Sequence, residues 1–253
     1  MNSTTHLDRP GGRRVAVHDL TPDAVADAPV VLFCHAAPGA GGFDPDPAAT
    51  AAHGVRLLSL DRPGYGGSDR IGDGFATVGS AADDAAALLD AVLPAGGKAA
   101  VAGWSAGGRV AMALAARRPD LVDRVAVLAT PAPDEEVPWV PAEHRAGLAA
   151  LRGQPPAVVH AALGEAFAPM VAAMAGPARL GLVGAGDADN AVLADPGAAE
   201  RLTAMLDQAL LQGAVGMVAD IAGYMLEPWG FDPGEVRVPV LLDYGLEDTT
   251  AGV

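Results

Sequence analysis

Cys34 is the chain's only cysteine, so no internal disulfide can form, which agrees with a reducing cytoplasm as the expected location. Lysine is almost as scarce: Lys98 stands alone, and the other cations are arginines scattered without a basic stripe. The formal charge of −15 then argues against nucleic acid, whose phosphates such a chain would repel. No uninterrupted apolar run reaches bilayer-spanning length, so no membrane partner is expected. The first ten residues, from Met1 to Pro10, lack the apolar segment of a signal peptide. His and Cys form no cluster with metal-ligand spacing, so neither a metal nor a cofactor is expected. Gly184-Ala-Gly-Asp-Ala-Asp-Asn190 touches a dinucleotide fingerprint and a calcium loop but completes neither: the third glycine and the closing glutamate are absent.

What is present is an alternation. Arg14–Leu20 reads as a half-exposed strand after a Pro10-Gly-Gly turn. Val30–Cys34, Val55–Leu60, Ala99–Trp104 and Val125–Ala129 are apolar runs of the kind buried on both faces. Helical patterns separate them, notably Ala81–Val92 and Arg109–Arg117, which implies βαβ units and a parallel sheet. From residue 131 to 234 no buried-strand run occurs, only alanine-rich helical stretches broken by Pro and Gly. Val159, Leu163, Phe167, Met170 and Met174 form a helical stripe there, read as packing between lid helices or as a lid wall over a pocket. Trp139, Trp229 and Phe231 are expected to hold the lid down. Val238–Tyr244 returns the chain to the sheet. The expected organisation is a core of residues 1–130 and 235–253 with a helical cap at 131–234.

The chemistry centres on Gly103-Trp-Ser-Ala-Gly107, between an apolar strand and a helix. A tight strand-to-helix turn lifts Ser105 clear of the sheet, and glycines at 103 and 107 are expected because side chains there would strike neighbouring backbone. An oxyanion needs two N–H donors, one from Ala106 and one from the His35-Ala-Ala-Pro-Gly39 loop. Asp61 and Arg62 are expected to pair with each other as a structural ion pair.

Four segments together resemble the α/β-hydrolase family in its serine-nucleophile branch: His35–Gly39, Asp61–Ser68, Gly103–Gly107 and Gly245-Leu-Glu-Asp248. The resemblance implies an α/β-hydrolase fold, mostly parallel with helices on both faces and an inserted helical lid. It also implies Ser105 as nucleophile, Asp248 as triad acid with Asp134 as runner-up, and Ala37 and Ala106 N–H groups as the oxyanion hole. Trp104 and His35, beside these groups, are the candidate substrate contacts. The implied activity is hydrolysis of small, fairly apolar esters, lactones or amides.

Two departures from the family pattern qualify it. Ala36 replaces the usual glycine, and a positive φ there would strain the loop. No histidine follows Asp248, so the family's last strand, helix and general base are expected to be missing and activity impaired. Val238–Tyr244 would then be an exposed edge strand through which two copies could pair. A non-catalytic hydrolase-fold protein that binds a ligand or a partner is the alternative, and C–C or peroxide chemistry on the same scaffold is a third.

Overall fold

Alternation along each strand decides which residues meet which layer. The computed structural model describes residues 3–184, 186–248 and 251, so the outer bounds of the expected core, 1 and 253, lie outside the described residues. Seven strands form one sheet: β1 (Ser3–Asp8), β2 (Arg14–Asp19), β3 (Val30–Cys34), β4 (Arg56–Leu60), β5 (Ala99–Trp104), β6 (Val122–Leu128) and β7 (Val240–Asp243). Their order is β1-β2-β4-β3-β5-β6-β7. β1 and β2 are antiparallel to their neighbours, and every later pairing is parallel.

The helices are α1 (Pro47–His53), α2 (Val78–Val92), α3 (Ala106–Arg117), α4 (Ala142–Leu151), α5 (Pro156–Ala173), α6 (Asn190–Leu193), α7 (Pro196–Ala209) and α8 (Val215–Met225). Leu32, Leu58 and Val101 point to one face and pack with Ala85 and Leu89 of α2 and Val110 and Leu114 of α3. Phe33 and Leu57, one residue out of phase, point to the other face. There they meet Phe43, Tyr65 and the α7 side chains Met205, Leu206 and Ala209. Helices therefore cover both faces, and the second layer comes from the insertion. Tyr224 of α8 also joins the main core. Residues 131–234 also form a buried cluster of their own, with Val159, Leu163 and Val171 against Leu210, Met217 and Val218.

α5 corrects the expected stripe. Val159 and Leu163 are buried against α8, but Met170 is 36% exposed and Val171 takes the buried position instead. Pro169 lies inside the helix, where it has no N–H to donate to the preceding turn. α5 also qualifies the reading of apolar runs: with a mean hydropathy of 1.3 over 18 residues, it is long and apolar enough to cross a membrane by length and composition alone. β7 is the sheet edge, and its Leu241 and Leu242 are 60% exposed.

Candidate active site

β5 runs into α3 through one residue, Ser105, whose backbone adopts φ 53 and ψ −122. A non-glycine residue at positive φ is strained, and the surroundings fix it from both sides. Its N–H donates to the Leu128 carbonyl at 2.8 Å, and its own carbonyl accepts from the Gly108 N–H and the Thr130 hydroxyl. Thr130 is held in turn, since its carbonyl accepts from the Tyr244 hydroxyl at 2.8 Å. A serine before a helix commonly caps it, but the Ser105 side chain makes no cap bond.

The glycines are required by contact. A Cβ on Gly103 would come within 2.5 Å of the Gly107 carbonyl carbon and Gly108 Cα. On Gly107 it would come within 2.6 Å of the Cys34 carbonyl carbon and 2.7 Å of the His35 oxygen. These are backbone atoms that cannot swing aside.

Ser105 opens into a cavity of about 940 Å³ that Ala37, Trp104 and Asp248 also line. Ala106 begins α3, so its N–H is one of the donors left unpaired by the helix. Trp104 stacks at a tilt on Phe43, with ring centroids 6.3 Å apart. The Asp248 N–H donates to the Gly245 carbonyl, and its Oδ1 accepts from the Ala251 N–H at 2.8 Å.

Several expected roles change. Among the described residues the non-glycine positive φ angles are at Ser105 and Ala129, so Ala36 carries no left-handed strain. Asp61 and Arg62 do not pair. Asp61 accepts from the Gly41 and Gly67 N–H groups and lies 3.1 Å from His18 Nε2. Arg62 instead reaches Asp220 of α8 at 2.6 Å and donates to the His35 and Ala36 carbonyls. Asp134, the runner-up acid, accepts from the Trp139 and Val140 N–H groups and lines a different cavity.

His35 is also corrected as a substrate contact. It is fully buried beneath the loop, with Nδ1 against the Ala36 carbonyl at 2.8 Å and Nε2 accepting from the Arg62 N–H at 3.1 Å. The imidazole braces the loop. Burial, then the Arg62 charge, holds its pKa well below the usual value. Cys34 beside it is equally enclosed, and burial pushes its thiol up to about 12. None of the chain's six imidazoles is among the described residues lining the Ser105 cavity.

The neutral His35 implies a pH dependence. In the unfolded chain it titrates near 6.5, so below that the unfolded state takes up a proton the folded state refuses. Stability is fully present above about pH 6.5 and falls as pH drops below it, by at most about 1.4 kcal/mol per pH unit for this group. Urea unfolding between about pH 7.5 and about pH 5.5 measures the slope. His35→Asn should flatten it, leaving the part due to His160, whose pKa burial also lowers. An unchanged slope in the variant would refute the assignment.

No pattern along the chain signals that Leu182, Val183 and Asp187 wall this cavity; the glycine-rich segment around them suggests only failed fingerprints. Its chain position, far from every motif, carries no signal of that proximity.

A family model described as the alpha/beta hydrolase fold matches residues 29–150, the span holding the His35 loop, the Ser105 turn and β3 to β6. The chain has the α/β-hydrolase fold. Solved structures agree on the fold. The esterase RhEst1 from a Rhodococcus species is 18% identical, with a TM-score of 0.63 over 99% of this chain and 83% of that one. An enol-lactonase from Burkholderia xenovorans is 23% identical, with a TM-score of 0.58 over 96% of this chain and 82% of that one. A carboxylesterase study of Nitrososphaera gargenis provides another α/β-hydrolase-fold neighbour, 18% identical with a TM-score of 0.64, over 97% and 82% of the two chains. No curated protein matches.

Proposed function

We propose that this α/β-hydrolase-fold protein cleaves small, fairly apolar esters, lactones or amides through an acyl-enzyme on Ser105. The Ala37 and Ala106 N–H groups receive the oxyanion, and Asp248 is the acid that would orient an imidazole base, a group not found among the described lining residues. The observation that carries this reading is the strained Ser105 backbone, which presents a hydroxyl not used as a helix cap to a cavity of about 940 Å³. Strain held at one residue by surrounding bonds is a feature of reactive sites. Among the described residues the cavity wall includes Asp187, Asp189, Glu247 and Asp248 but no Lys or Arg, which favours uncharged substrates over anionic ones.

The absence of an imidazole from the described cavity lining favours a second reading, in which the cavity binds such a molecule without turning it over. Without an adjacent base a serine hydroxyl is a weak nucleophile, and roughly 10³ to 10⁴ over water is what an oxyanion hole and binding supply alone.

A fluorophosphonate probe separates the two. The 253-residue chain should acquire a single adduct, slowly, on the peptide containing Ser105, and Ser105→Ala should acquire none. An adduct elsewhere, or none after prolonged exposure, removes the hydrolase reading. Labelling as fast as in an ordinary serine hydrolase would show that a base reaches the hydroxyl after all.

A further inference from the structure

Arg109 of α3 is 4% exposed, yet among the described residues no carboxylate lies within ion-pairing distance of it. The contrast with Arg62, which is as deeply buried, is direct: Arg62 has Asp220 and Arg109 has no such partner. Arg109 Nη1 donates to the Tyr224 carbonyl at 3.1 Å and Nη2 to the Pro131 carbonyl at 3.4 Å. Its Nε and the Tyr224 hydroxyl are buried with no hydrogen-bond partner. The guanidinium lies 5.6 Å from the Trp139 ring and 5.0 Å from the Trp229 ring, and Trp229 stacks on Phe231 at 5.7 Å. Arg109, Trp139, Tyr224, Trp229 and Phe231 line one cavity of about 610 Å³, separate from that of Ser105.

We propose that this cavity binds a small organic monocarboxylate with an apolar or aromatic body, the Arg109 guanidinium receiving the carboxylate and the aromatic rings the body. A buried cation without an ion-paired acid is costly, and a ligand carboxylate supplies both the charge and an acceptor for Nε. The volume falls in the range of small-molecule sites. Burial, opposed by the fields of Tyr224, Asp220 and Glu135, pulls the Arg109 pKa down to about 10, so the group is still cationic at neutral pH.

The rim selects the charge of the ligand. Arg145 lies 3.5 Å from Asp134 and Arg152 lies 2.9 Å from Glu135, so these rim acids already have cationic partners. Glu227 adds a further acid to the lining. A doubly charged phosphate would face these acids with one buried cation to hold it, whereas a monoanion matches Arg109 alone. This site is independent of Ser105 and of the hydrolase reading.

The chain has three tryptophans, so Trp104→Phe leaves Trp139 and Trp229 as the only indole reporters. In that background, phenylacetate should change the fluorescence saturably and raise the melting temperature. Phenylacetamide, its uncharged counterpart, should bind roughly tenfold more weakly or worse, and Arg109→Met should weaken phenylacetate by a similar factor. Should Arg109→Met fail to fold, Trp229→Leu removes one face of the sandwich and should also weaken phenylacetate. Equal binding of acid and amide, no saturable signal, or undiminished binding in whichever variant folds would each overturn the proposal.

Discussion

Asp220→Ala is expected to cost about 3–5 kcal/mol of folding stability, because it strands the Arg62 guanidinium in the core. Asp220 and Arg62 are 4% and 2% exposed, and two bonds join them, at 2.6 and 3.2 Å. The Tyr65 hydroxyl donates to the same carboxylate at 2.8 Å. Breaking one side of a buried pair leaves a desolvated charge, whereas replacing both sides with apolar groups leaves none. Arg62→Met with Asp220→Leu should therefore lose far less than the two single changes added together. Urea midpoints of the four chains close the cycle. A loss below about 1 kcal/mol in Asp220→Ala would mean that water or another acid reaches Arg62. The pair also matters to the site: Arg62 holds the His35 and Ala36 carbonyls, so the loop carrying Ala37 is tied to α8 through Asp220.

Gly107→Ala is the second large effect. The added methyl would stand 2.6 Å from the Cys34 carbonyl carbon and 2.7 Å from the His35 oxygen, so β3 and the start of α3 must separate. Overpacking against backbone has no rotamer escape, and a loss of about 3 kcal/mol or more is expected. The shift also displaces Ala106 from Ala37, so fluorophosphonate labelling of Ser105 should fall even in the folded fraction. Gly147→Ala serves as the control. It lies in α4 with nothing within 4 Å of the added methyl, and it should stabilise by about 0.5–1 kcal/mol. Comparable melting temperatures for the two variants would contradict the steric argument.

The strands were legible because burial on both faces leaves unbroken apolar runs. Val30–Cys34 and Ala99–Trp104 have the bounds the sequence implied, and α2 and α3 extend the expected helices by three residues at their starts. The Ser105 turn was equally legible, since its glycines answer to atoms only a few residues away or on the adjoining strand. Asp61 and Arg62 were misread because adjacency in sequence suggested a pair. Their side chains point apart, and Arg62 finds its acid 158 residues later.

What the sequence determined by itself is local: a parallel sheet, a glycine-framed serine between strand and helix, and a helical insertion after β6. Tertiary structure alone decided that α7 of that insertion covers the second sheet face, that His35 is a brace, and that Arg109 lies between two indoles with no ion-paired acid among the described residues. Periodicity and turn chemistry depend on neighbours along the chain. Which cation meets which carboxylate, and which cavity a loop walls, depends on how distant segments fill the space between layers.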